Sequence, residues 1–197
     1  MRAIELNNIN KLIISIEDIA KTLSINKESA KVTASRYVKN GSLLRIKKDF
    51  YIAANKYENL NEKELFKIAN AIQVPSYISL ASALTYYNIS TQQLRRIIES
   101  VTTKKTNSVK VKETSFNFIL IKKNLYTGFI LKDDIFIALP EKAFADIVYL
   151  SSLGRYSCDF EAIDFNKLNK NKVTEYIRVT NQRTIKYWDT ICKRYKI

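Results

Sequence analysis

The residue types with the clearest chemistry in this sequence are the basic, hydroxyl and small apolar side chains between positions 27 and 48. At 3.6 residues per turn, a helix over 27–39 places six residues on one face, namely Glu28, Ser29, Val32, Ser35, Arg36 and Lys39. Hydroxyl and guanidinium groups bond to phosphates and base edges, and a valine can contact the methyl group of thymine. The predicted DNA-binding residues are Lys27, Ser29, Val32, Ser35, Arg36, Lys39, Arg45, Lys47 and Lys48.

A helix pair is needed to hold that face in place. Ser15 and Asp18 are suited to start a helix whose apolar stripe is Ile16, Ile19, Ala20 and Leu23. A turn over 24–26 follows, and Asn26 is suited to cap the second helix. The small side chains of Ala30 and Ala34 allow close packing of the second helix on the first. Another helix is predicted around 6–14 from its near-helical apolar spacing. Considered by itself, the second helix also fits an ordinary amphipathic helix with a solvated face.

A basic hairpin follows the second helix directly. Gly41 is suited to end the helix, and residues 44–47 alternate between apolar and basic side chains, the pattern of a half-exposed strand. Lys48 and Asp49 form the predicted turn, and residues 50–53 return as a second strand. Arg45, Lys47 and Lys48 are then exposed where a hairpin meets the sugar-phosphate backbone. This order of elements predicts a winged helix-turn-helix.

Composition places limits on the whole chain. It has 197 residues, of which 46% are hydrophobic and 26% charged, so we expect a folded protein rather than a disordered one. The net charge of +14 favours a polyanionic partner, although a lysine-rich composition with a solvated surface explains the same number. We see no apolar run of the roughly 20 residues that span a bilayer, and no signal-like start, so we expect no membrane association and a cytoplasmic location.

The remainder of the chain predicts a second domain. We place the winged helix-turn-helix at 1–56 and a mixed α/β domain at 57–197, with a polar linker over 55–61. Strand-like runs at 97–103, 116–121, 128–131 and 135–138 predict an antiparallel sheet, and the chain from about 155 reads as a helical tail in which Trp188 is a core anchor. The predicted fold class is α+β.

A second basic stretch lies in that domain. It can extend the DNA contact or meet RNA or an acidic partner, and it can equally be a solvated loop between two strands. Its residues are Lys104, Lys105, Lys110 and Lys112.

Catalysis receives little support from the residue types present. The chain has no histidine, no glycine-rich phosphate loop and no recognisable pair of nucleophile and base. We therefore predict a non-enzymatic protein with no catalytic residues, metal site or cofactor. Asp133, Glu141 and Lys142 are the candidates for a metal-dependent nuclease, the less favoured interpretation. Cys158 and Cys192 lack metal-site spacing and are expected to be reduced thiols.

Four motifs in this order resemble the AbiEi family, the antitoxin and transcriptional-regulator components of abortive-infection toxin–antitoxin systems. They lie at 41–53, 77–84 (YISLASAL), 101–106 (VTTKKT) and 138–146 (ALPEKAFAD), and the similarity covers roughly residues 5 to 153. The sequence departs from the family at the hairpin tip, where Asp49-Phe50 stands in place of the usual glycine.

The resemblance implies a role for each domain. The N-terminal winged helix would bind repeats in the promoter of its own operon and repress it. The C-terminal domain would act as an antitoxin against a nucleotidyltransferase-type toxin in a type IV system, for which no stable complex is expected; the oligomeric state stays open. The alternative is a stand-alone winged-helix regulator whose second domain dimerises or binds a ligand.

Overall fold

The structure, a computed structural model, describes residues 9–92 and 96–197. The chain divides into two compact units, Met1–Ile68 and Ala69–Ile197. The fold is of the mixed α+β class, as predicted. Each unit contains its own sheet, of three strands in the first and six in the second.

The N-terminal unit packs short helices on a small antiparallel sheet of order β1-β3-β2. Its core consists of buried aliphatic side chains, including Ile14, Ile16, Ile19 and Leu43, with Ala30 facing them. The elements are β1 (Ile14–Ser15), α1 (Ile16–Thr22), α2 (Lys27–Lys39), β2 (Leu43–Lys47), β3 (Phe50–Ala53), α3 (Ala54–Tyr57) and the start of α4 (Glu62–Ile72).

Local capping chemistry explains the helix boundaries. The Ser15 hydroxyl accepts a hydrogen bond from the amide of Asp18 at 3.1 Å, and the Asp18 carboxylate accepts one from the amide of Ser15 at 2.9 Å. Asn26 caps α2 by accepting a bond from the amide of Ser29 at 2.8 Å. Gly41 ends α2 with φ of +79°, a left-handed conformation in which glycine has no Cβ clash. All these caps confirm the sequence prediction.

The predicted helix over 6–14 is wrong in its described part. Residues 6–8 lie outside the described residues, residues 9–13 form neither helix nor strand, and Ile14 begins β1. Ile14 pairs with Tyr51, and Ser15 with Phe50, so a partner distant in sequence overrides the helical spacing of the apolar residues. The predicted linker over 55–61 also contains most of α3.

The C-terminal unit is built on a six-stranded sheet of order β6-β7-β5-β4-β9-β8. The sheet is mixed, because β5 pairs in parallel with β7 and β4 in parallel with β9, which corrects the predicted antiparallel sheet. The strand over 107–111 lies in the second basic stretch, for which a solvated loop between two strands was one of the alternatives. The elements are β4 (Ser76–Ile78), α5 (Leu80–Tyr86), β5 (Ile97–Thr102), β6 (Asn107–Val111), β7 (Thr114–Leu120), β8 (Phe129–Lys132), β9 (Ile135–Ala138) and α6 (Pro140–Ser152).

The tail is helical, as predicted, with α7 (Lys170–Arg178) and α8 (Gln182–Tyr195) after two short 3₁₀ turns. Trp188 is buried, its ring lies 5.8 Å from that of Phe144 on α6, and its indole N–H donates to the Thr174 hydroxyl at 3.0 Å. The prediction of Trp188 as a core anchor is thus confirmed. Within the described residues, no helix combines the length and apolar character needed to cross a membrane.

Candidate nucleic-acid interface

The nine predicted DNA-binding residues lie on α2 and on the β2–β3 hairpin. Eight of them are exposed and Lys47 is half-buried. Val32 stands out because its side chain is 53% exposed although it is apolar. The buried residues of α2 are Ala30 and Ala34, which lie on the face that was predicted to pack against the first helix.

A cleft of about 280 Å³ lies between α2 and the hairpin. Ser35 reaches it from the helix, and Arg45 and Lys48 reach it from the hairpin. Its other lining residues are Lys31, Val38, Asp49 and Tyr51. Cations and a hydroxyl from separate elements therefore converge on one concave surface, a suitable arrangement for an anionic oxygen.

Lys31 is a member of this cleft that the sequence reasoning missed. The ammonium group of Lys31 lies 2.8 Å from a carboxylate oxygen of Glu28, three residues earlier on the same helix. The Glu28 carboxylate holds the pKa of Lys31 above its ordinary value, so the side chain keeps its charge. Its position beside the hairpin depends on tertiary packing, which the helical wheel does not contain.

The hairpin tip has an unusual backbone. Asp49 has φ of +64°, in the left-handed region that favours glycine but admits aspartate. Its carbonyl oxygen accepts a hydrogen bond from the amide of Ile16 at 3.1 Å, which joins the tip to the start of α1. A register shift between Arg45 and Lys47 lies on the strand before it, and the Lys47 ammonium lies 4.5 Å from the centre of the Phe50 ring. A main-chain hydrogen bond and a cation–π contact thus hold the tip.

Lys27 has an acidic partner on the preceding helix. Its ammonium group lies 2.5 Å from a carboxylate oxygen of Glu17 on α1. Both side chains are exposed, and such surface pairs are weak, so a phosphate can compete for Lys27.

The second basic stretch is spread along an edge strand. Lys104 and Lys105 precede β6, Lys110 is on it and Lys112 follows it in the turn to β7; all four are exposed. Five residues of strand at about 3.3 Å each separate the ends by about 17 Å. The structure therefore does not gather the four lysines at one point, and an exposed lysine on an edge strand such as Lys110 discourages pairing with another chain.

The three nuclease candidates occupy different settings. Asp133 lies in the exposed turn between β8 and β9, whereas Lys142 is buried on α6 and bonded to Asp146. Glu141 is half-buried at the start of α6. The described residues contain no group of three or more histidine, cysteine or acidic side chains that would hold a metal ion.

A buried polar network around Asp146 was not predicted. Its carboxylate accepts hydrogen bonds from the Tyr77 hydroxyl at 3.0 Å and the Ser79 hydroxyl at 2.8 Å, and it forms an ion pair with Lys142 one helical turn earlier. Burial and then the Asp146 carboxylate raise the pKa of Tyr77, so its hydroxyl keeps its proton and acts as a donor. The i, i+4 spacing of Lys142 and Asp146 was the available signal. Their pairing inside the protein was not visible in the sequence.

A second buried carboxylate, Glu99 on β5, lies at the start of α5. It accepts bonds from the amides of Ala81 and Ser82 and, at 2.9 Å, from the Tyr156 hydroxyl. Burial raises the pKa of Glu99 and outweighs these hydrogen bonds, which lower it. Burial, with Glu99 nearby, also raises the pKa of the Cys158 thiol to about 12, which favours the protonated thiol at neutral pH.

An apolar cavity of about 490 Å³ lies near one edge of the six-stranded sheet. Its wall includes three aromatic rings, those of Tyr126, Phe129 and Phe136. The remaining lining residues are Asn70, Ala71, Val74, Pro75, Ser76 and Asp134. Both its size and its mixture of aromatic and few polar groups are typical of small-molecule sites.

Comparisons with known proteins give no relative from which a function can be transferred. No protein-family model matches the chain. No curated protein matches it either.

Proposed function

We propose that the N-terminal unit is a winged helix-turn-helix that binds double-stranded DNA, with α2 in the major groove and the β2–β3 hairpin as the wing. The observation that supports this most directly is the cleft in which Ser35 of α2 meets Arg45 and Lys48 of the hairpin. A helix and a hairpin that present cations and hydroxyls to one concave surface match the docking of such modules on a duplex.

The proposed contact residues divide into two roles. Ser29, Val32, Ser35 and Arg36 on α2 read base edges, because they occupy the face of the helix that enters the groove. Lys27, Lys39, Arg45, Lys47 and Lys48 contact phosphates and supply affinity that depends on salt but not on sequence.

For the whole chain we propose an autorepressor and antitoxin of a type IV toxin–antitoxin system. Support comes from the AbiEi-like order of motifs. The proposed DNA-binding surface of the N-terminal unit would repress the operon. The functional partner is a nucleotidyltransferase-like toxin, neutralised without a stable complex. The target DNA is the repeat-containing promoter of the chain's own operon, and the protein acts in the cytoplasm without an enzymatic activity of its own.

DNA binding is tested by fluorescence anisotropy with a duplex from the region upstream of the gene and a shuffled duplex of equal length. Arg36→Ala should reduce the preference for the upstream duplex, whereas Lys48→Ala should weaken binding to both and flatten the salt dependence. Lys172→Ala, an exposed lysine of α7, is the matched control and should bind like wild type. Wild-type behaviour of both Arg36→Ala and Lys48→Ala would contradict the proposed interface.

Antitoxin activity is tested by co-expression with the product of the adjacent gene. If that product is a nucleotidyltransferase-like toxin, the chain should restore growth. Arg36→Ala should still restore growth, because it alters the DNA-reading surface only. Failure of the wild-type chain to restore growth would favour the alternative, a stand-alone regulator.

One observation favours that alternative specifically. The aromatic-walled cavity of the C-terminal unit is of the size and composition that bind small molecules, as expected of a regulator with a ligand-binding domain.

A further inference from the structure

We propose that the aromatic-walled cavity binds a small organic cation, with a quaternary ammonium group as its best-fitting head. This inference does not depend on DNA binding by the N-terminal unit. It rests on the shape of the aromatic wall, on how that wall is held and on the charge of the residues around it.

The three rings are inclined to one another rather than stacked. The Tyr126 and Phe129 centroids are 4.9 Å apart with their planes inclined by 58°. Those of Phe129 and Phe136 are 6.2 Å apart and inclined by 78°. Mutually inclined rings present several π faces to one space, which is the arrangement of the aromatic cages that bind quaternary ammonium groups.

The wall is held in place from behind. The Phe129 ring stacks on that of Tyr77 at 4.6 Å and 16°, and the Tyr77 hydroxyl is bonded to the buried Asp146. The main chain of Phe136 donates to the Asn70 amide oxygen at 2.7 Å and accepts from the Asn70 amide nitrogen at 3.4 Å. Rings fixed in this way need little ordering on binding, which favours affinity.

The charge of the lining selects a cation. Among the described residues that line the cavity, Asp134 is the one charged side chain, in a chain that has 33 lysines and arginines against 19 acidic residues. An anion would meet aromatic faces and a carboxylate, both of which repel it. A cation is attracted by both.

The polar groups of the lining select the kind of cation. The Asn70 amide is bonded to the main chain of Phe136, and the Ser76 hydroxyl donates to the carbonyl of Gln73 at 2.6 Å. With these two groups engaged, the rest of the wall offers chiefly apolar surface and π faces, and its other polar groups are the Tyr126 hydroxyl and the Asp134 carboxylate. A quaternary ammonium group needs no hydrogen-bond acceptors, so it fits better than a primary amine or a sugar.

The test uses the full-length chain and two probes of nearly the same shape, choline and its neutral isostere 3,3-dimethyl-1-butanol. Binding is followed by amide chemical shifts in a ¹H–¹⁵N NMR titration. We expect choline to bind about tenfold more tightly, with shifts concentrated at residues 70–76 and 126–136. Equal affinity of the two probes, or no shift with choline, would overturn the proposal.

Two variants separate the contribution of the ring face from that of the charge. Phe136→Leu keeps an apolar side chain but removes a π face, so it should lose most of the preference for choline and still bind the neutral isostere. Asp134→Asn should weaken choline binding only.

Val179→Ala is the matched control, because Val179 is an exposed apolar residue of the tail outside the lining. It should bind both probes like wild type. Far-UV circular dichroism and the fluorescence of Trp188 report whether each variant is folded. A folded Phe136→Leu protein that keeps the full preference for choline would contradict the role of the aromatic wall.

Discussion

Val32 is an exposed apolar residue on the proposed DNA-binding helix. Its side chain is 53% exposed on α2, where Ser29, Ser35 and Arg36 are also exposed. An isolated apolar residue on a surface is common, but this one lies on the face that we assign to the major groove. The major groove exposes the methyl group of thymine, and we propose that Val32 contacts it.

Replacing thymine by uracil in the duplex tests this contact without changing the protein. Wild type should bind the uracil duplex about fourfold more weakly, since one buried methyl contributes about 0.8 kcal/mol. Val32→Ala should bind the two duplexes equally in the same anisotropy titration. A similar loss for both proteins would show that the methyl group acts elsewhere, for example through the shape of the duplex.

The buried Asp146 should be costly to remove. Asp146→Ala leaves the Lys142 ammonium buried without its anion and the Tyr77 and Ser79 hydroxyls without their acceptor. Loss of one partner of a buried ion pair costs about 3–5 kcal/mol, measurable as a lower free energy of unfolding in urea. The double variant Lys142→Met/Asp146→Leu should be destabilised less, because neither charge remains. If the double variant were the less stable of the two, the ion pair would not be the source of the effect.

The Glu99 side chain joins β5 to the start of α5 and to the segment after α6. Glu99 of β5 binds the first amides of α5 and the hydroxyl of Tyr156, which lies after α6. The negative charge suits the positive end of a helix, but burial penalises that charge more strongly, and the pKa of Glu99 is raised.

The raised pKa of Glu99 predicts a pH dependence of stability. Between the ordinary glutamate pKa of about 4.3 and the higher value in the fold, the folded state binds more protons than the unfolded state. The contribution of Glu99 is therefore fully present below that window and is lost as the pH rises through it. Glu99→Gln should gain stability relative to wild type over the same rise, measured by urea unfolding at a series of pH values. A relative gain on acidification would mean that hydrogen bonding to the carboxylate outweighs its burial.

The whole molecule has a net charge of +14, but we expect only some of its basic side chains to contact DNA. Five cations of the proposed interface are assigned to phosphates, namely Lys27, Lys39, Arg45, Lys47 and Lys48. If all five met phosphates, the logarithm of the affinity would fall with the logarithm of salt concentration with a slope of about −4.5.

Removing the lysines around β6 should leave that slope unchanged. Lys104, Lys105, Lys110 and Lys112 are spread along an edge strand rather than gathered at one point. A variant with alanine at all four positions should therefore bind DNA with the wild-type salt slope, whereas Lys47→Ala/Lys48→Ala should reduce its magnitude by about 2. A shallower slope for the fourfold variant would make this stretch a second DNA contact.

Features that depend on neighbours in the chain were predictable from the residues alone. Helix α2 has the predicted bounds, with Asn26 as its cap, and the turn at Lys48-Asp49 joins two strands close to their predicted positions. The exposed face of α2 follows in the same way, because helical geometry relates residues three and four apart. Caps, turns and faces are short-range properties, set by a few consecutive side chains.

Features that depend on distant partners were decided by packing in three dimensions. Ile14 lies in a strand because it pairs with Tyr51. The chain passes from β5 to the edge strand β6, which is antiparallel to β7, and β7 therefore runs parallel to β5. Asp146 gained its role from Tyr77, which lies 69 residues away in the chain. The cleft at Ser35 and the aromatic-walled cavity arise likewise from side chains on separate elements. Burial of charge and enclosure of space are properties of that packing, which local periodicity does not contain.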